Sequence, residues 1–311
     1  LSGWPSAVSR TPRSRRGSRR DRESPMALMT AGLLAGAAVS GGALLVDRLA
    51  VATIRPQKKI AYDVAPADVP FAHRAVEFAS GKSVLRGWLF EPPSGPKGPL
   101  AVLVHGWSAN AGTVLRLGRP LLEAGFPVLA FDVRGHGSSD SVRFVTIRHY
   151  RDDVHAALHF AQTELPFSRR VVIGHSMGAA AAVLAVARGA PSDGMCLVAG
   201  PADMMDVTEG YLTDQGLPGA LVVRICSLSW RLRAAEPFAD LNPEHSLARI
   251  RIPVRIVQGS DDRRVRPDHA RRLATAAGVS VTEVPGRGHT DVLESEEAHD
   301  AIRELLRSTA A

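Results

Sequence analysis

Residues 171–180 read Val-Val-Ile-Gly-His-Ser-Met-Gly-Ala-Ala, and this stretch decides the fold. Three β-branched apolar residues predict a buried strand, and the alanine-rich run that follows predicts a helix. Between them, Gly174 and Gly178 flank Ser176 in a Gly-x-Ser-x-Gly pattern, which suits a turn too tight for side chains on either flank. Such a turn presents its central hydroxyl near the first N–H groups of the next helix. We therefore predict that Ser176 is a nucleophile and that the Met177 N–H holds an oxyanion.

The composition fits one large α/β domain or two small ones. The chain has 311 residues, of which 45% are hydrophobic and 22% charged, so a sizeable core is available. Much of the net charge of +7 comes from residues 1–25, a basic tail predicted to be disordered, and no basic stripe with aromatics follows it. We therefore predict no nucleic-acid partner. Cys196 and Cys226 lack metal-ligand spacing and are predicted to be buried free thiols, with a bridge between them left open.

Residues 26–46 contain no charged residue, and Asp47 ends the run. About twenty apolar residues at helical rise cross the ~30 Å hydrocarbon core of a bilayer. We predict a single-pass transmembrane anchor here, with a cleaved signal sequence (and hence secretion) or a buried helix of the domain as alternatives. The side of the membrane stays open. The basic tail favours export of the domain, whereas a true start at Met26 would leave the nearest positive charges after the run and hold the domain in the cytoplasm.

From residue 71 to residue 311 short strands and helices alternate, after a charged, proline-containing linker at 55–70. Continuous apolar strands separated by amphipathic helices predict an α/β fold: a mostly parallel central sheet with helices on both faces. In such sheets, sites form at the carboxyl ends of the strands. The predicted strands are 73–79, 84–90, 100–105, 127–132, 170–175, 195–199, 254–258 and 279–284, and the predicted helices are 113–123, 146–163, 177–188, 267–277 and 292–306.

Residues 202–249 interrupt the alternation. They mix methionine, leucine, valine and tryptophan with glycine and proline. We predict a short helical lid over the carboxyl edge of the sheet, with an apolar underside. The alternative is an ordinary helix and a long loop of the main domain. We call residues 202–249 the helical insertion.

A nucleophilic serine needs a base to take its proton and an acid to orient that base. The predicted base is His289, which follows a late strand in a loop made flexible by Gly286 and Gly288. The acid should follow another strand, between the serine and the histidine. Asp261 and Asp262 compete for this role, and we predict Asp262 as the partner of His289 and Asp261 as a cap of the turn. Four other histidines are predicted to be surface residues of helices, namely His155, His159, His269 and His299.

An oxyanion needs a second donor besides the Met177 N–H. The sequence Val104-His105-Gly106-Trp107 ends the first parallel strand, and we predict that the Trp107 N–H is this donor. The Trp107 ring either lines the acyl site or packs in the core. No metal is predicted to take part.

These motifs together resemble the α/β-hydrolase superfamily. Its chain order of serine, acid and histidine is matched by Ser176, Asp262 and His289. Residues 131–139, Phe-Asp-Val-Arg-Gly-His-Gly-Ser-Ser, resemble its loop after the fourth strand. Residues 259–265, Gly-Ser-Asp-Asp-Arg-Arg-Val, resemble its G-x-x-D-x-x-V acid loop, and this likeness is what places the acid at Asp262.

The resemblance covers about residues 73–308. It is nearest to the branch that holds serine aminopeptidase-like proteins, monoacylglycerol-lipase-like enzymes and carboxylesterases. One departure is Arg266, where many relatives carry a proline; here proline follows at Pro267. This departure concerns the local geometry of the loop more than the chemistry.

The resemblance implies a serine hydrolase that needs no cofactor and cleaves carboxylic esters (EC 3.1.1) through an acyl-enzyme on Ser176. Its substrate would be a small-molecule ester or a lipid-like ester, as for a carboxylesterase, a lysophospholipase or a monoacylglycerol lipase. A serine aminopeptidase is the nearest alternative, with Glu209, Asp214 and Glu236 as candidates to hold the amino terminus of a peptide. A membrane-tethered binding protein without catalysis is the other alternative. The oligomeric state is not predicted.

Overall fold

The structure, a computed structural model, describes residues 40–56 and 60–310. The predicted basic tail and residues 26–39 of the predicted anchor lie outside these ranges. Of the unit formed by residues 1–45, residues 40–45 are described and are helical. Among the described residues, no helix combines the length and the apolar character needed to cross a membrane, so the predicted span has no counterpart there.

The unit formed by residues 46–311 contains eight strands and nine helices longer than one turn in its described part. The strands are β1 Ala72–Ser80, β2 Ser83–Glu91, β3 Leu100–Val104, β4 Val128–Asp132, β5 Arg170–His175, β6 Gly194–Val198, β7 Val254–Gly259 and β8 Val281–Val284. The helices are α1 (residues 46–53), α2 Ala111–Glu123, α3 Ile147–Thr163, α4 Met177–Ala187, α5 Met204–Asp214, α6 Gly219–Ala234, α7 Pro243–Leu247, α8 Pro267–Ala277 and α9 Glu296–Ala310.

The eight strands form one sheet in the order β1-β2-β4-β3-β5-β6-β7-β8. Strand β2 runs antiparallel to both of its neighbours, and the pairs from β4 to β8 are all parallel. The predicted mostly parallel sheet is therefore confirmed. Val104 pairs with Gly174 and His175 pairs with Val198, so β3, β5 and β6 end side by side. The loops that follow them meet at one edge.

Helices cover both faces of this sheet, because the side chains of each strand alternate between two apolar layers. In β3, Val102 and Val104 join the layer formed with α3, α4 and α8. Ala101 and Leu103, between and beside them, join the layer formed with α2 and α9. Strands that are buried on both faces explain why β3 is apolar throughout.

Two predicted boundaries are wrong for local reasons. Strand β8 starts at Val281 rather than Val279, because the Val279 N–H still bonds the Ala274 carbonyl at the end of α8. The last helix starts at Glu296 rather than Val292. A 3₁₀ turn at Asp291–Glu294 precedes it, and Ser295 separates the two with an extended backbone and a side-chain oxygen that accepts from the N–H of Ala298 at 3.2 Å.

The described part of the predicted linker packs on the domain. The Asn110 side-chain amide donates to the carbonyls of Ile60 and Ala61 at 3.0 and 3.1 Å. The Tyr62 hydroxyl donates to Asp132 at 2.5 Å. These contacts join residues 60–62 to the loop that follows β3 and to the end of β4.

The helical insertion follows β6 and returns to β7. It contains α5, α6, a 3₁₀ turn at Phe238–Leu241 and α7. The inner side of α6 forms a small core of its own, in which Cys226 and Trp230 pack with Ala50 of α1. Both cysteines are buried and free, as predicted.

Candidate active site

Ser176 lies on the sharp turn between β5 and α4. Its backbone has φ 55° and ψ −123°, a strained conformation for a residue with a side chain. The two glycines are required by contact: a Cβ on Gly174 would lie 2.5 Å from the backbone of Ala179, and one on Gly178 would lie 2.4 Å from the Val104 carbonyl. The turn therefore fits only between two residues without side chains, as the sequence predicts.

The structure brings Ser176, His289 and Asp262 together. His289 Nε2 lies 3.0 Å from Ser176 Oγ, and His289 Nδ1 lies 2.8 Å from Asp262 Oδ2. Asp262 is buried, whereas Ser176 is partly exposed at the carboxyl edge of the sheet. This arrangement lets the imidazole accept a proton from the hydroxyl while the carboxylate fixes its tautomer.

Asp262 uses both of its oxygens. Oδ2 faces His289, and Oδ1 accepts from the N–H groups of Arg264 and Val265 at 2.9 Å each. Burial raises the pKa of the Asp262 carboxyl, but the hydrogen bonds from His289 and from these N–H groups outweigh it and hold the pKa below its usual value. The residue is therefore an anion at neutral pH. The predicted cap of this turn was Asp261, but Asp262 caps it through Oδ1. The Asp261 carboxylate is exposed and accepts from the Ser260 hydroxyl.

His175, beside the nucleophile, bonds the backbone of the proposed base. Its Nε2 lies 2.8 Å from the His289 carbonyl, and a carbonyl only accepts, so His175 Nε2 carries a proton. Burial, and then the neighbouring His289, lower the pKa of His175 to about 3. His175 is therefore a neutral donor that fixes the loop carrying the base. The sequence predicted only that His175 packs sideways.

The two predicted oxyanion donors belong to the start of α4 and to the loop that follows β3. The Met177 N–H belongs to the first turn of α4, where N–H groups have no partner inside the helix. The Trp107 N–H bonds no acceptor among the residues that the structure describes. A Cβ on Gly106 would lie 2.9 Å from Ser176 Cβ, so the Gly106–Trp107 peptide lies against the nucleophile. The Trp107 ring is half-buried and packs edge-on against His136.

Two buried side chains fix the orientation of that peptide. The Gly106 carbonyl accepts from His105 Nδ1 at 2.8 Å and from the Tyr150 hydroxyl at 3.0 Å. In a trans peptide the carbonyl and the following N–H point in opposite directions. With the carbonyl of Gly106 held on the core side, the Trp107 N–H points away from His105 and Tyr150. Tyr150 and His105 are therefore positioning residues for the predicted donor.

Replacing Tyr150 by phenylalanine is expected to lower kcat for an ester about tenfold. This is less than the ~10²–10³ lost when an oxyanion donor is removed, because His105 still holds the carbonyl. KM should change little, since the donor acts on charge that develops in the transition state. Steady-state kinetics with a p-nitrophenyl ester measures both quantities. Tyr62→Phe, which removes a hydroxyl bonded to Asp132 instead, is the matched control, and equal losses in the two variants would contradict the role of Tyr150.

Sequence reasoning missed Tyr150, His105 and His175 as supporting residues, and it misplaced two histidines. His269 and His299 are buried rather than exposed. His269 Nδ1 accepts from the Ala202 N–H at 3.3 Å, at the start of the helical insertion. The signal for such residues is weak, because a histidine on an amphipathic helix has the same pattern whether its face is inside or outside.

A cleft of about 830 Å³ lies between α5 and the acid loop, residues 259–265, and its lining includes neither Ser176 nor His289. Asp206 and Asp214 of α5 line it on one side, and Asp262 and several arginines line it on the other. Of the three acids considered for a peptide amino terminus, only Asp214 lines this cleft. Glu209 is exposed, and Glu236 is bound to Arg151 at 2.6 and 2.9 Å and to Arg188 at 3.1 Å.

The chain is similar to several known proteins. Residues 96–214 match the family described as serine aminopeptidase, S33. The chain is 28% identical over 232 residues to an uncharacterised protein of Mycobacterium tuberculosis (strain H37Rv), covering 73% of this chain and 76% of that protein. A shorter stretch of 92 residues is 33% identical to a monoacylglycerol lipase of Mycolicibacterium smegmatis, covering 29% of this chain and 32% of the lipase.

The fold is shared with solved esterase structures. An esterase of Pyrococcus furiosus matches with a TM-score of 0.67 and 21% identity, covering 83% of this chain and 98% of the esterase. Est1E of Butyrivibrio proteoclasticus, solved with ferulic acid bound, matches with a TM-score of 0.59 and 18% identity, covering 75% of this chain and 99% of Est1E. At these identities the likeness concerns the fold.

Proposed function

The chain belongs to the α/β-hydrolase superfamily, and on that premise we propose that it is a serine hydrolase that cleaves carboxylic esters through an acyl-enzyme on Ser176. The observation that carries the proposal is the pair of contacts at His289, 3.0 Å from Ser176 Oγ and 2.8 Å from Asp262. The strained backbone of Ser176 supports it as well, because such strain concentrates at functional sites.

In the proposed reaction, Ser176 Oγ attacks the ester carbonyl carbon while His289 Nε2 accepts the hydroxyl proton. The N–H groups of Met177 and Trp107 stabilise the oxyanion of the tetrahedral intermediate. His289 then gives the proton to the leaving alcohol, and the acyl group remains on Ser176. A water activated by the same imidazole cleaves the acyl-enzyme and restores the hydroxyl.

The substrate class proposed is a small-molecule ester, including lipid-like esters. The esterases and the monoacylglycerol lipase among the similar proteins support this class. An aminopeptidase is the second candidate, which the family match and Asp214 in the cleft favour. The other acid of α5 in the cleft, Asp206, is bonded to Arg272 at 2.8 Å. The arginines that line the same cleft oppose this candidate, because they compete with a cationic amino terminus for those carboxylates.

We also propose that residues 26–46 attach the chain to a membrane. The support is the uncharged run itself, which ends at Asp47. Carbonate extraction of cell membranes tests this: the full chain should stay in the pellet, and a chain starting at Asp47 should be released. Release of the full chain by carbonate would contradict the proposed anchor.

A fluorophosphonate probe tests the nucleophile. The probe reacts only with an activated serine, whose oxygen bonds the phosphorus while fluoride leaves. We expect stoichiometric labelling of the full chain and none of Ser176→Ala, which conserves the fold because it removes one atom. Ser94→Ala, at an exposed loop, should label like the wild type. No labelling of the wild type, or labelling of Ser176→Ala, would contradict the proposal and favour a binding protein.

A substrate panel separates the two enzyme classes. p-Nitrophenyl esters of graded acyl length and aminoacyl-p-nitroanilides are compared by kcat/KM with the same preparation. We expect hydrolysis of the esters and little or none of the anilides. A preference for the anilides that disappears in Asp214→Asn would establish the aminopeptidase instead.

A further inference from the structure

Helix α6 carries an apolar face that no described residue covers. The outer face of α6 consists of Leu221, Ile225, Leu228 and Leu232, which are 53%, 43%, 66% and 72% exposed. At ~100° per residue these four side chains lie within about 60° of arc, on the side opposite Trp230. A single exposed leucine is ordinary in a soluble domain, but an aligned row marks an interaction surface.

The charges around this face are basic. Helix α6 contains Arg224, Arg231 and Arg233 and no acidic residue. Arg224 and Arg231 are exposed and flank the outer face on one side, whereas the acids of the helical insertion that precede α6 lie on α5 or at its N-cap. Apolar side chains flanked by arginines are the pattern of a helix that lies in the interface of a bilayer with anionic headgroups. Two copies of the same face would instead bring their arginines together.

The residue that ends the uncharged run of the chain is bonded to α6. Asp47 is the first charged residue after residues 26–46. Its carboxylate accepts from Arg233 at 2.8 and 2.9 Å and from the Ser229 hydroxyl at 2.8 Å. Three residues later the Ala50 carbonyl accepts from Trp230 Nε1 at 2.9 Å. The point at which the uncharged run ends is therefore bound directly to α6.

From these observations we propose that the outer face of α6 docks on a lipid bilayer that contains anionic lipid. Leu221, Ile225, Leu228 and Leu232 enter the acyl boundary, and Arg224 and Arg231 bind phosphate groups at the surface. The cleft beside Asp262 lies between α5 of the same helical insertion and the acid loop. The inference concerns a surface and does not depend on ester cleavage.

The test uses the full chain labelled with an environment-sensitive fluorophore at Leu228→Cys. Both native cysteines are buried, so the label goes to the introduced thiol. Ser94→Cys is the matched control, because the loop between β2 and β3 lies at the opposite edge of the sheet. With phosphatidylcholine vesicles that contain phosphatidylglycerol, we expect a blue shift and loss of iodide quenching for the label at 228. The label at 94 should show neither.

Two further variants keep the test independent of how the chain is anchored. Leu221→Glu/Leu232→Glu, both at exposed positions, should abolish the blue shift of the label at 228 while the thermal melt stays unchanged. Arg224→Gln/Arg231→Gln should weaken docking about 30-fold on anionic vesicles, since each basic residue contributes about 1 kcal/mol there. Zwitterionic vesicles should not distinguish the arginine variant from the parent.

Three results would overturn the proposal. In the first, the chain floats with vesicles although the label at 228 stays as accessible to iodide as the label at 94. In the second, the label at 228 is shielded from iodide before vesicles are added, which means that a segment of the chain covers the outer face of α6. In the third, the blue shift appears without vesicles and grows with protein concentration, which means that a second copy of the chain covers the outer face.

Discussion

Replacing Asp262 by asparagine is expected to lower kcat for a p-nitrophenyl ester about 10⁴-fold, with little change in KM. The substitution conserves the size and shape of the side chain and removes only its charge and one acceptor. Because Asp262 does not reach the substrate in the proposed mechanism, binding of the ester should not change. The loss should come from the orientation and tautomer of His289.

The hydrogen bonds at Asp262 give the reason. The N–H groups of Arg264 and Val265 point at Oδ1, so an asparagine keeps its carbonyl oxygen there. Its NH₂ group then faces His289 Nδ1, which must accept rather than donate. The proton of the imidazole moves to Nε2, and that nitrogen donates to Ser176 instead of accepting from it. The hydroxyl loses its base although every atom is still in place.

The matched control is Asp261→Asn, which removes a charge from the neighbouring residue. The Asp261 carboxylate is exposed and bonds only the Ser260 hydroxyl among the described residues, so kcat should stay within about twofold. Urea denaturation of both variants separates lost catalysis from lost fold. Gln258 Nε2 donates to Asp262 Oδ2 at 3.2 Å, so this donor also loses its acceptor in Asp262→Asn. A loss of kcat below tenfold in Asp262→Asn, or an equal loss in Asp261→Asn, would contradict the assignment.

The sequence predicts the parts of this site that depend on backbone geometry. A turn that excludes Cβ atoms at two positions requires glycine at both, and the sequence shows this as Gly174 and Gly178. The position of His289, in a loop after a late strand, is likewise visible in the sequence. Alternating apolar strands and amphipathic helices likewise predict a sheet covered on both faces. The spacing of these features along the chain is fixed by the fold, so one sequence suffices to read them.

Partners brought together only by packing are not predictable in this way. Tyr150 reaches the Gly106 carbonyl from α3, 44 positions along the chain, and looks in sequence like any core aromatic. The direction of a side chain around a helix axis is equally hidden. Apolar residues of α6 predicted an apolar underside, but Trp230 packs inward while Leu228 and Leu232 point outward. The amino-acid composition of α6 does not show which of its apolar sides packs against the rest of the domain.

Acidification from pH 7 to pH 5 is expected to lower the free energy of unfolding by about 6 kcal/mol, through three buried histidines. Burial lowers the pKa of His105 to about 4. Burial, together with the neighbouring His105, lowers the pKa of His136 to about 4, and burial with the neighbouring His289 lowers that of His175 to about 3. The same rings have pKa values near 6.5 in an unfolded chain.

The sign follows from proton binding. Between pH 6.5 and about 4 the unfolded chain binds protons at these three rings and the folded chain does not, so stability falls as the pH falls through this window. Each ring contributes about 2 kcal/mol at pH 5, and the sum is a large part of the ~5–15 kcal/mol that stabilises a domain. The pKa of Asp262 is lowered as well, so its contribution is lost only at more acidic pH, below the usual range of a carboxyl.

Urea titrations at pH 7, 6 and 5 measure the effect, with His136→Asn as the test variant. Asparagine keeps the N–H that His136 donates to the Arg134 carbonyl and cannot take up a proton. Its difference in unfolding free energy between pH 7 and pH 5 should be smaller than that of the wild type by about 2 kcal/mol. His159→Gln, at an exposed position of α3, is the control and should leave the difference unchanged.

The outcome also bears on the oxyanion donor, because His105 works only as a neutral ring. Its Nδ1 donates to the Gly106 carbonyl while its Nε2 accepts from the Val133 N–H at 3.1 Å. A second proton on the ring would make His105 Nε2 a donor, and it would then face the Val133 N–H, which is also a donor. If the unfolding free energy were constant from pH 7 to pH 5, these rings would take up protons without cost. His105 would then not be held by both bonds, and the ring that donates to the Gly106 carbonyl would lack its second anchor at Val133.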